Sequence, residues 1–154
     1  MAWIIKIFKK FFTILFILAS GCAVKNDKKD RADFEKLSKD LFSRYDYFYE
    51  RAYKKQEADS SFIYVQKNKM SKKYFENNIK NKIIENGWRE VPAIFDDQII
   101  FCYGVNNIMS VVYPTKTYYR NEYGDSMSVK KENIDNWIIN MNYYMYGIDN
   151  CKRN

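Results

Sequence analysis

The chain of 154 residues contains no histidine. Without an imidazole there is no Ser–His or Cys–His dyad to activate a nucleophile, and no histidine-based zinc site. Glycine is scarce, five in all, and Gly104 and Gly124 stand alone, so no glycine-rich loop is available to cradle a phosphate. Long hydrophobic runs are absent too: the uncharged stretch 11–24 has 14 residues, against about 20 for a spanning helix. No internal repeat, low-complexity tract or interdomain linker interrupts the rest, which reads as one domain.

What is present begins with MAWIIKIFKKFFTILFILASGCAV, residues 1–24. Lys6, Lys9 and Lys10 make a positive start, residues 11–19 a short apolar region, and Ala19, Ser20 and Gly21 a small-residue site that lets a peptidase approach the backbone. The residues Leu18-Ala19-Ser20-Gly21-Cys22 resemble the lipobox of bacterial lipoproteins, with Ala19 where that family more often has leucine. The resemblance covers residues 1–22 and concerns processing alone. It implies a diacylglycerol on the sulfur of Cys22, cleavage in front of that residue, and a third acyl chain in Gram-negative species. Several chains give stable anchoring where one is marginal, at about 0.8 kcal/mol per buried methylene. Ala23 stands where inner-membrane lipoproteins often carry Asp; in a Gram-negative cell the resemblance therefore implies the outer membrane, facing the periplasm.

Loss of residues 1–21 removes three lysines and no acid, so the mature chain has 23 basic and 19 acidic side chains, a net +4 in place of +7. That is an ordinary charge for a small soluble domain, and a translocated lipoprotein does not meet nucleic acid. With Cys22 committed to lipid, Cys102 and Cys151 remain as an even pair in an oxidising compartment, which predicts one disulfide tying the tail to a strand.

Residues 22–31 read as the lipidated cysteine and a polar tether with nothing to bury, expected to be mobile. The domain then spans 32–154. Phe34, Leu37, Leu41, Tyr45, Phe48 and Ala52 recur at steps of three and four, predicting one long amphipathic helix over 33–55. Residues 62–65 read as a strand. Ser71 caps a second helix, in which Phe75, Ile79 and Ile83 share a face, Gly87 supplies the stop and Trp88 folds back on Ile83. Two β-prone runs, 98–103 and 108–113, flank a turn at 104–107 and predict a hairpin with Ile100 and Cys102 on one face and Ile99, Phe101 and Tyr103 on the other. A further strand is expected at 116–123. Ile134, Trp137, Ile138, Met141, Met145 and Ile148 recur at helical steps and outweigh the β-prone run 143–146, so a last helix is expected, ended or kinked at Gly147. The expected fold is α+β: a single small domain, an antiparallel sheet of three to four strands packed against two to three helices.

Catalytic candidates reduce to the pair Asp96-Asp97, whose side chains point apart on extended chain and have no third ligand nearby in sequence. No catalytic residue, metal site or cofactor is implied. Two surface groups stand out as a binding surface: Lys69, Lys72, Lys73 and Lys80 around the second helix, and Tyr118, Tyr119 and Arg120 in the tyrosine-rich segment. Three function classes follow. The first is a lipid-anchored, non-enzymatic envelope protein that binds a protein or an envelope polymer, an immunity-type lipoprotein being one form. A structural accessory subunit of an envelope assembly is the second, and a carboxylate-dependent hydrolase built on Asp96 or Asp97 the third.

Overall fold

The computed structural model describes residues 31–152. Cys22 and the whole lipobox lie outside them. Nine-residue helix α1, Phe34–Phe42, is followed by β1, Tyr47–Lys54, and β2, Ala58–Gln66. Helix α2 runs in three continuous pieces, Lys72–Tyr74, a π-helical Phe75–Ile79 and Lys80–Glu85. Then come β3, Arg89–Val91, β4, Gln98–Tyr103, β5, Asn107–Val112, the short strands β6, Tyr118–Arg120, and β7, Ser126–Ser128, the long β8, Asn136–Tyr144, and a terminal helix α3, Asp149–Lys152.

The main sheet has six strands in the order β1-β2-β8-β5-β4-β3, every neighbouring pair antiparallel. Strands β6 and β7 form a separate two-stranded sheet among the described residues. The α+β class holds, with more sheet and less helix than the sequence led us to expect.

Alternation sorts the side chains of the sheet onto two faces. Ile63, Val65, Phe101, Met109, Val111, Trp137, Ile139 and Met141 are buried beneath α1 and α2, together with Phe34, Leu37, Phe42, Phe75, Ile79 and Ile83. Trp137 lies 4.7 Å from the rings of both Phe75 and Tyr113, and its indole N–H donates to the Met70 carbonyl at 2.7 Å. A smaller cluster of Val91, Ile100, Cys102 and Cys151 lies on the opposite face. There Cys102 and Cys151 are joined, with Cα atoms 5.5 Å apart.

Three predicted elements are as expected. Ser71 accepts from the Tyr74 N–H at the start of α2, and Gly87 at φ +85 lets its own N–H reach the Ile84 carbonyl and that of Trp88 reach Ile83. Strands β4 and β5 form the hairpin, with the predicted faces. The strand predicted at 62–65 is the middle of β2.

Three others need correction. The helix expected over 33–55 stops at Phe42, and β1 takes over, because Tyr47 and Tyr49 face the core while Phe48 and Glu50 face away; aromatics fit a pleated, half-buried surface. The strand expected at 116–123 is three residues long and outside the main sheet. The helix expected over 134–148 is the central strand β8, since Trp137, Ile139, Met141 and Tyr143 are buried while Asn136, Ile138, Asn140 and Asn142 alternate with them. Two flanking strands, β2 and β5, supply hydrogen bonds along nearly the whole of β8.

Candidate functional site

The face of the sheet turned away from the helices is only partly covered. Its register sets Phe62, Asn140, Ser110 and Ile100 in one row across β2, β8, β5 and β4, and Tyr64, Ile138, Val112 and Gln98 in the next. The segment carrying β6 and β7 arches over part of this floor, contributing Met127, Ser128 and Val129, with Ile94 opposite. Between floor and arch is a cavity of about 370 Å³. Its polar groups largely satisfy one another. Gln98 donates to the Ser110 hydroxyl at 2.8 Å and accepts from the N–H groups of Ile94 and Phe95, and the Asn142 amide donates to Asn140, which donates to the Ser61 carbonyl. Among the described residues no charged side chain lines the cavity. Chemically it offers burial of apolar surface beside neutral amides, the usual makeup of a recognition site.

Beside it stands an aromatic ridge. Phe48, Tyr64 and Phe62 stack in sequence, with ring centroids 6.1 and 6.3 Å apart, and Phe48 is 63% exposed. A second depression of about 380 Å³ flanks the ridge, lined by Asp46, Glu50, Glu132, Lys130 and neighbouring amides. Carboxylates outnumber the single lysine there. Burial, followed by the charge of Glu50, pushes the Tyr64 phenol up from its ordinary range, so it stays a neutral donor. Ridge, cavity and acidic rim are continuous across β1, β2 and β8.

The predicted surface residues lie elsewhere. Lys69, Lys72 and Lys73 are exposed at the start of α2, on the helix side of the sheet. Lys80 is held by Glu90 at 2.8 Å and Glu76 at 3.6 Å, and the Glu90 hydrogen bond raises its affinity for the proton. Tyr118 and Arg120 are exposed on β6, but Tyr119 between them is 1% exposed and turned inward. Its hydroxyl accepts from the Thr115 N–H at 2.9 Å and donates to Asp97 at 3.1 Å, so it anchors the arch and is not a surface contact. The structure thus does not gather the seven residues into one surface.

Asp97 belongs to the same anchor. At φ +60 it forms a turn and accepts from the hydroxyls of Thr115 and Tyr119. Burial would raise its pKa, but those hydrogen bonds and the charge of Lys72 prevail and lower it below the ordinary carboxylate value. Asp96 is exposed and faces Lys116 at 3.7 Å. Among the described residues the two carboxylates have no partner in common. Among the described residues no group of three His, Cys, Asp or Glu side chains could hold a metal ion.

Comparison with family models, with curated proteins and with solved structures returns no significant match. The residues of the ridge and cavity that sequence reasoning missed, Phe48, Phe62, Tyr64, Ile138, Asn140 and Asn142, lie largely on strands expected to be helical. The signal that would have found them is the strict alternation of asparagine and isoleucine with large buried side chains over 136–143.

Proposed function

We propose that this chain is a lipid-anchored, non-enzymatic protein of the bacterial envelope that binds a protein partner through the open face of its sheet. The observation that carries the reading is the stacked ridge of Phe48, Tyr64 and Phe62, continuous with a neutral apolar cavity and edged by Asp46, Glu50 and Glu132. Aromatic side chains bring large area and a polar handle to interfaces. An apolar side chain of the partner fills the cavity, and a lysine or arginine beside it meets the acidic rim and the ring faces. The envelope address is supported by the lipobox-like residues ending at Cys22.

The test is site-specific photocrosslinking of the full chain in its own membrane. A photoreactive residue in place of Phe48 is expected to capture one discrete protein, and the same residue in place of Lys69 is expected not to. Adding Ile138→Lys, with the circular dichroism spectrum unchanged, should remove the adduct. Equal capture from both positions, or persistence with Ile138→Lys, overturns the assignment of the face. Recovery of a large stoichiometric assembly in place of one partner identifies an accessory subunit instead.

A further inference from the structure

The chain enters the domain at one end of the sheet. Arg31 donates to the Lys55 carbonyl at 3.1 Å and pairs with Asp59 at 2.6 Å, and the Ala32 N–H donates to Asn107 at 3.0 Å. At this same end lie the β1–β2 turn, the β4–β5 turn and the loop leaving β8, and they are bonded into one cap. The Met145 N–H donates to Glu57, that of Tyr144 to Asn106 and that of Ile148 to Val105, all within 2.9 Å, while the Asn106 side chain donates to the carbonyls of Tyr144 and Met145.

This cap is rigidly built yet apolar at its surface. Tyr146 is 79% exposed, Val105 48%, Tyr144 43% and Met145 40%. A cluster of large apolar side chains on an ordered surface marks a contact. Lys54 and Lys55 are exposed beside it, and the cap also carries Glu57 and Asp149, the latter paired with Lys152 at 3.1 Å. Its character is thus aromatic first and mildly basic second, the mixture that tyrosine and lysine bring to a membrane–water interface.

We infer that this end of the domain is a second, non-covalent membrane contact, with Tyr146, Met145, Val105 and Tyr144 seated in the interfacial layer of an anionic bilayer and Lys54 and Lys55 among its headgroups. The inference rests on the proposed acylation of Cys22. Arg31 is nine positions beyond Cys22, a reach of about 30 Å at most, so the end that receives the tether is the end held at the bilayer. The strands then stand along the membrane normal, and the open face is left free to meet a partner from the side.

The full acylated chain, carrying Tyr146→Cys labelled with an environment-sensitive fluorophore, tests this in vesicles containing phosphatidylglycerol. Cys102 and Cys151 are buried in their disulfide and do not compete for the label. The control is the same label at Lys69→Cys, beyond the opposite end of β2. The label at 146 is expected to brighten several-fold and to be shielded from aqueous iodide, and the label at 69 to remain quenchable. Equal quenching of both on vesicle-bound, acylated protein overturns the contact and leaves the anchor standing. A chain whose mass shows no acyl group and which stays off the vesicles overturns both.

Discussion

Asp59 is a buried carboxylate at the edge of the core. Its side chain is 4% exposed, Arg31 reaches one oxygen at 2.6 Å, and among the described residues the other oxygen has only Arg51 at 3.8 Å and no hydrogen bond. A carboxylate so placed is tolerable because a guanidinium meets it; stripped of that partner it is a buried charge in a poor solvent. Arg31 also stacks over Tyr143, 4.9 Å from the ring centroid, so the last residue of the sequence-predicted tether is a fixed part of the domain. Arg31→Ala is expected to destabilise the fold by about 3 kcal/mol, the low end for a broken buried pair because Arg51 remains. Urea denaturation measures it. Arg31→Ala combined with Asp59→Asn should recover much of the loss, since the uncompensated charge is then gone. No recovery would show that the guanidinium acts through packing on Tyr143 instead.

Among the described elements, α3 is held to the sheet by a covalent bond. Cys151 ties it to Cys102 in β4, 49 residues away in sequence, and the Arg89 side chain adds a hydrogen bond to the Cys151 carbonyl at 3.1 Å. Closing a loop of that length restricts the unfolded chain by about 4 kcal/mol on the loop-entropy model. Reduction of the purified protein should therefore lower the melting temperature by roughly 10–15 °C, read by calorimetry with and without reductant. The elements also show where the sequence was legible. Helix α2 and the β4–β5 hairpin carry their own punctuation, in Ser71, Gly87 and the turn at 104–107, so local chemistry defined them. Strands β1 and β8 carry none. In both, apolar residues fall at steps of three and four as well as at steps of two, and the choice between the two periods was made by pairing partners far along the chain: Val65 and Ile63 for Tyr47 and Tyr49, Ile63 and Val111 for Ile139. Such long-range pairing is what a local window cannot see. The candidate site shared that fate in part, because Phe48 of the ridge and Ile138, Asn140 and Asn142 of the cavity are on the outward sides of those two strands.

At the scale of the whole molecule, β8 divides two tasks between adjacent residues. Ile139 is 0% exposed under the helices, level with Ile63 and Val111, whereas Ile138 lies half-buried on the floor of the open cavity, level with Tyr64 and Val112. Both are isoleucines on the central strand, so substitution by alanine removes the same atoms from the same backbone. Ile139→Ala is expected to cost 2–5 kcal/mol, the range for emptying a closed core. Ile138→Ala should cost less than half as much, because water already reaches part of the side chain and fills what is left. Partner capture from position 48 should respond in the opposite order: strongly reduced by Ile138→Ala, and changed by Ile139→Ala only as far as folding is lost. Chemical denaturation and crosslinking yield on the same two variants give both readings. Equal stability losses would mean that the arch of β6 and β7 closes the second face as a core. A stability difference with unchanged capture would move the binding surface off this face, and only the crossed pattern assigns folding to one side of the sheet and recognition to the other.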